Sequence, residues 1–119
     1  MGVKKVSEMM IDVSGDLFQI VESREEMQAH VDLVATAWNI ALCSQTERKA
    51  NLKTFLKKQS KYAPNIEALK GLEWEMRRIM KQKDKLYPDV NKKIVVAEVV
   101  VTGVGEYIVR AYFEGESAQ

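Results

Sequence analysis

The stretch KIVVAEVVVTGVGEYIVRAYFEG, residues 93–115, constrains this 119-residue chain more than any other. Two runs rich in β-branched and aromatic residues flank Gly103-Val104-Gly105, which reads as a β-hairpin. A three-residue loop with Gly105 in the left-handed position would close it through a G1 bulge. That loop sets a register: Thr102 opposes Glu106, Val100 opposes Ile108, and Glu98 opposes Arg110, so the one charge inside each strand meets its opposite. The odd-numbered face, Val95, Ala97, Val99 and Val101 against Tyr107, Val109, Ala111 and Phe113, is wholly apolar and is expected to lie on the helices. The even-numbered face sets Ile94, Val96, Val100, Ile108 and Tyr112 around the Glu98–Arg110 pair. Two strands cannot bury two faces. Full burial of such a side chain is worth ~1.5–3 kcal/mol, so five of them represent at most about 7–15 kcal/mol, which rivals the net stability of a typical domain. Both strand edges are also expected to present unpaired amides and carbonyls. Either the helices split to both sides of the hairpin, or another chain supplies the cover.

Upstream, the apolar residues recur at helical spacing. Val6, Met9, Met10, Val13, Leu17, Ile20 and Val21 predict a first helix reaching Val21. Gly15 weakens it by about 1 kcal/mol and leaves room for a neighbouring element. Ser23 and Glu26 form a capping-box pattern that opens a second helix from about Arg24 to Cys43. Its VDLVATAWNIALC segment is apolar on nearly all sides, the mark of a central helix. Ser44 and Glu47 repeat the pattern before a third helix to about Lys61, with Leu52, Phe55, Leu56 and Tyr62 as a narrow apolar stripe and Lys49, Lys53, Lys57 and Lys61 facing outward. Pro64, suited to a first helical turn, introduces a fourth helix from about Asn65 to Leu86. Its apolar arc holds Ile66, Leu69, Leu72, Met76, Ile79, Met80 and Leu86. Connections of a few residues favour antiparallel neighbours in one bundle, and hence cover of the hairpin by another chain. The expected fold is one α+β domain over residues 1–119: a four-helix bundle with a C-terminal two-stranded antiparallel hairpin. Two hairpins meeting edge to edge would make a four-stranded sheet across a dimer. The last residues, GESAQ, are expected to fray.

Charge is unevenly spread. Residues 1–46 carry three basic and seven acidic side chains, residues 47–93 fourteen and six, and residues 94–119 one and four, giving −4, +8 and −3 for a net +1. No apolar run approaches the ~18 residues of a membrane span. The N-terminal segment mixes Glu8, Asp12 and Asp16 into its apolar residues, unlike a secretory signal. Its Met-Gly start does not complete an acylation pattern, because Ser7 stands one residue late. A single cysteine, Cys43, precludes an internal disulfide and points to a reducing, cytoplasmic setting.

Candidate chemistry is sparse. Cys43 and His30 are thirteen residues apart on one expected helix, about 220° around its axis, and so face away from each other. Glu22, Glu26 and His30 share a helical face but lack the second histidine of a di-metal helix site, and His30 is expected at the surface beside Glu26. Gly103 and Gly105 sit between strands rather than before a helix, which is not a phosphate cradle. Acidic residues of the first two helices, Glu8, Asp12 and Asp16 among them, could converge only in three dimensions. No catalytic residue, cofactor or metal is assigned. On the fourth helix, Lys70, Trp74, Arg78, Lys81 and Lys85 form an outward cationic stripe, with Arg77 at its edge. A tryptophan among cations suits single-stranded nucleic acid, and equally suits packing against a protein partner. The expected function is a cytoplasmic, non-enzymatic interaction module forming a homodimer or binding another protein. Val96, Val100, Ile108 and Tyr112, joined by Trp74, would make the interface. Nucleic-acid binding through residues 47–86 is the alternative, and no membrane association is expected.

Overall fold

The computed structural model describes residues 4–15, 17–19 and 21–116. Four helices precede a two-stranded antiparallel sheet: α1 (Val6–Ser14), α2 (Arg24–Ala41), α3 (Gln45–Gln59), α4 (Ile66–Leu86), β1 (Ile94–Val101) and β2 (Tyr107–Phe113). This is the expected α+β architecture. No described helix is long and apolar enough to cross a membrane. Of the tail GESAQ expected to fray, residues 117–119 lie outside the described residues, whereas the Glu116 amide donates to the Phe113 carbonyl at 3.1 Å.

The helix starts follow from their caps. Ser23 Oγ accepts the Glu26 amide at 3.1 Å, and the Glu26 carboxylate reaches back to the Glu22 amide at 3.2 Å. Ser44 and Glu47 close a full capping box. At α4 the cap is Asn65, which accepts from the Ala68 amide at 2.8 Å. Pro64 therefore stands before the cap and not, as expected, in the first turn.

The first helix departs further from expectation and ends at Ser14. Gly15 has φ +64°, a conformation that ends the helix, and the Arg78 Nη2 donates to the Ser14 carbonyl at 2.7 Å. A cation thus satisfies an orphan carbonyl at the helix C-terminus. Leu17 and Val21 still pack on the core, but from the following turn and loop; Ile20 lies outside the described residues.

α2 is central, packing against α1, α3, α4 and β1. Trp38, fully buried, is its hub. Its ring lies 6.0 Å from Tyr87 and 5.8 Å from Phe113, and its Nε1 donates to the Lys92 carbonyl at 3.0 Å. The hairpin rests on α1 and α2, and these rest on α4. Met76, Ile79 and Met80 of α4 are buried, whereas Ile66 and Leu86 at its ends are exposed. Tyr62, expected in the α3 stripe, is 81% exposed, because α3 has already ended at Gln59.

Candidate interaction surface

The loop of residues 103–105 sets the hairpin register as expected. The Thr102 amide donates to the Glu106 carbonyl at 2.9 Å, Gly105 has φ +84°, and Val100 pairs with Ile108 and Glu98 with Arg110. The Arg110 Nε lies 2.6 Å from Glu98 Oε1. On the underside Val99, Val109 and Phe113 are buried against the helices.

Two expectations about the faces fail. A bulge lies between Ile94 and Val96, so Ile94 pairs with Phe113 and Val96 with Tyr112. The extra residue inverts the alternation at that end. Ile94, expected on the outer face, turns into the core, and Val95, expected underneath, is 53% exposed. At the loop end the strands overhang the helices, and Val101 and Tyr107 stay exposed although they belong to the underside. The outer face then holds Val96, Val100 and Ile108, respectively 39%, 37% and 51% exposed, with Tyr112 half-buried beside them.

The strand edges are unequal, contrary to the expectation of two open ones. In an antiparallel ladder alternate residue pairs exchange hydrogen bonds, and the residues between them point their amides and carbonyls outward. From the Thr102–Glu106 bond, the odd-numbered residues point outward; the bulge brings Ile94 into the same phase. On β1 most of these groups, though not the Ala97 amide or those of Val101, are occupied by side chains of α2. Asn39 bonds both the amide and the carbonyl of Ile94 at 2.8 Å. Gln28 accepts from the Val99 amide at 2.8 Å and donates to the Ala97 carbonyl at 3.1 Å, while Arg24 donates to the Val99 carbonyl at 3.3 Å. Arg24, Gln28 and Asn39 fall on one face of α2 and act in place of a neighbouring strand. On β2 the Phe113 amide is taken by the Glu116 carboxylate at 2.7 Å. Among the described residues, nothing bonds the outward amides and carbonyls of Tyr107, Val109 and Ala111.

The cationic stripe of α4 is only partly free. Trp74 is 64% exposed, but Arg78 lies 5.9 Å from its ring while bonding the Ser14 carbonyl and Glu75, the latter at 2.7 Å. Arg77 is paired with Glu73 at 2.8 Å. Lys70, Lys81 and Lys85 are exposed. Lys81 borders a cleft of about 680 Å³ between α3 and α4 whose Arg48 is committed to Asp84 at 2.6 Å. α1 and α2 pack between α4, which carries Trp74, and the hairpin.

Sequence reasoning passed over Lys83, which is 2% exposed. Its Nζ donates to the carbonyls of Tyr87 and Val90 at 2.8 and 2.7 Å and lies 5.1 Å from the centre of the Trp38 ring. Burial holds its pKa below the ordinary lysine value. The acidic residues do not converge as a group. Asp12 is drawn instead to Lys4, 2.7 Å away, and to the Tyr87 hydroxyl; Asp16 lies outside the described residues. Glu26 turns to the backbone and leaves His30 beside a cavity of about 530 Å³, its Nδ1 buried without a partner among the described residues. The Cys43 sulfur contacts the Asn39 carbonyl and the Asn51 amide nitrogen, at 3.8 and 3.4 Å. No group of three or more His, Cys, Asp or Glu suited to a metal occurs among the described residues. No family model, curated protein or solved structure matches the chain.

Proposed function

We propose that this chain is a self-associating, non-enzymatic interaction module whose contact is its C-terminal hairpin. The observation that carries the reading is the contrast between the two sides of one ribbon. Val99, Val109 and Phe113 beneath are buried, whereas Val96, Val100 and Ile108 above remain more than one-third exposed. Covering each of the latter recovers part of the ~1.5–3 kcal/mol that full burial of such a side chain supplies. Apolar side chains left exposed on both sides of the Glu98–Arg110 pair support reading this face as an interaction site. A cytoplasmic setting suits the lone half-buried Cys43. Nucleic-acid binding is the weaker reading, because Arg77 and Arg78 are committed to carboxylates and a backbone carbonyl, leaving Lys70, Lys81 and Lys85 as the uncommitted cations of the α4 stripe.

Sedimentation equilibrium at micromolar concentration tests the proposal. The wild-type chain should run at twice its 13.6 kDa mass, and Ile108→Lys should run as a monomer with an unchanged helical spectrum. A wild-type monomer across the whole concentration range rules the reading out.

A further inference from the structure

Resting on that reading, we infer that the free edge of β2 is the docking element and that its occupant is the β2 strand of a second copy. The pairing is antiparallel and centred on Val109. The first ground is which main-chain groups remain available. Arg24, Gln28 and Asn39 interrupt the β1 edge from within the chain, leaving there only the Ala97 amide and the groups of Val101 without a partner among the described residues, and Glu116 closes the end of β2 at Phe113. What remains open on β2 is a run of three outward residues, Tyr107, Val109 and Ala111, each offering one donor and one acceptor. A two-fold axis through Val109 sets Val109 against its counterpart and each Tyr107 against the other copy's Ala111. Every one of these donors then meets an acceptor.

The second ground is charge. Moving the axis by one residue, onto Arg110, would bring two arginines face to face, which is destabilising in a sheet. It would also call on Phe113, whose amide is already taken. With the axis on Val109, Arg110 stands opposite the second copy's Ile108 and diagonal to both its Glu106 and its Arg110, so the two arginines no longer meet face to face and a carboxylate lies within reach of each. The aliphatic stem of Arg110 then lies over Ile108, which is 51% exposed. Arg110 enters the contact already paired with Glu98. The joined sheet has the order β1-β2-β2-β1. Both of its outer edges are β1 edges that side chains of α2 block at Ile94, at the Ala97 carbonyl and at Val99, which disfavours growth into a filament.

A proline scan and a cross-link test this. Ala111→Pro removes an outward amide and spares the ladder to β1, so it should keep the circular dichroism of the wild type while weakening dimerisation roughly tenfold or more. For the register, Ile108→Cys and Arg110→Cys chains, each also carrying Cys43→Ser, are mixed in equal amounts and oxidised. Pairing centred on Val109 places residues 108 and 110 of the two copies about 4.5 Å apart and should give the mixed disulfide. The two residue-110 positions are then diagonal, about 7–8 Å apart and beyond easy bridging. A dominant Arg110→Cys homodisulfide would overturn the register. A wild-type dimer that survives Ala111→Pro and forms no mixed disulfide would overturn edge pairing while leaving self-association through the outer face intact. A wild-type monomer would remove both.

Discussion

Gly15 shows how one residue ends an element and admits another. At φ +64° any side chain is strained, and a Cβ built there falls 2.7 Å from the Arg78 guanidinium. Gly15→Ala therefore forces a choice between a distorted backbone and a displaced arginine that caps α1 and lies near Trp74. The expected cost is about 1–3 kcal/mol, read as a lower urea midpoint with unchanged slope. Gly15 was visible in the sequence as a place of close approach but not as a terminus, because Leu17, Ile20 and Val21 continue the helical period beyond it. Lys83 was hidden for a different reason. It sits among lysines that face water, and its burial depends on the carbonyls of a turn that forms only when Tyr87 and Val90 fold back.

At the scale of elements, the hairpin's register could be read because a glycine loop and a charge pair fix it independently. The bulge could not, since Ile94, Val95 and Val96 are equally apolar and no polar residue marks which one turns outward. Nor could the closed β1 edge. Gln28 and Asn39 look like ordinary polar positions of a helix until the strand is laid beside them. Removing one exposes what it does. Asn39→Ala leaves the amide and carbonyl of Ile94, a residue 4% exposed, without partners. Each unsatisfied buried group costs about 1–3 kcal/mol. A denaturant titration should show a loss in this range or above, and the Ile94 amide should exchange faster than those of the β1–β2 ladder.

Across the whole molecule, Lys4, Asp12 and Tyr87 tie the first described residue to the turn after α4. The bonds from Lys4 and Tyr87 lower the Asp12 pKa below its usual 3.8, so the folded state binds that proton more weakly than the unfolded chain. Stability from this group is in place above pH 3.8 and is lost as pH falls through the lowered value. The gap in melting temperature between wild type and Asp12→Asn should be constant above about pH 5 and should narrow in stronger acid. The alkaline limb is mixed. Hydrogen bonding raises the Lys4 pKa, a contribution lost as pH rises through the raised value, whereas burial lowers that of Lys83, which gains as pH climbs toward 10.5. The bonds of Tyr87 to Lys4 and Asp12 were not legible in the sequence, where the partners are 83 and 75 residues apart. The same distance gives α2 its particular standing. One side of it holds Trp38 and the core, and the other stands in for a third strand along β1. A helix engaged in this way couples the sheet to the bundle, so peeling off the ribbon breaks the side-chain bonds of α2 as well, and the two are expected to melt together.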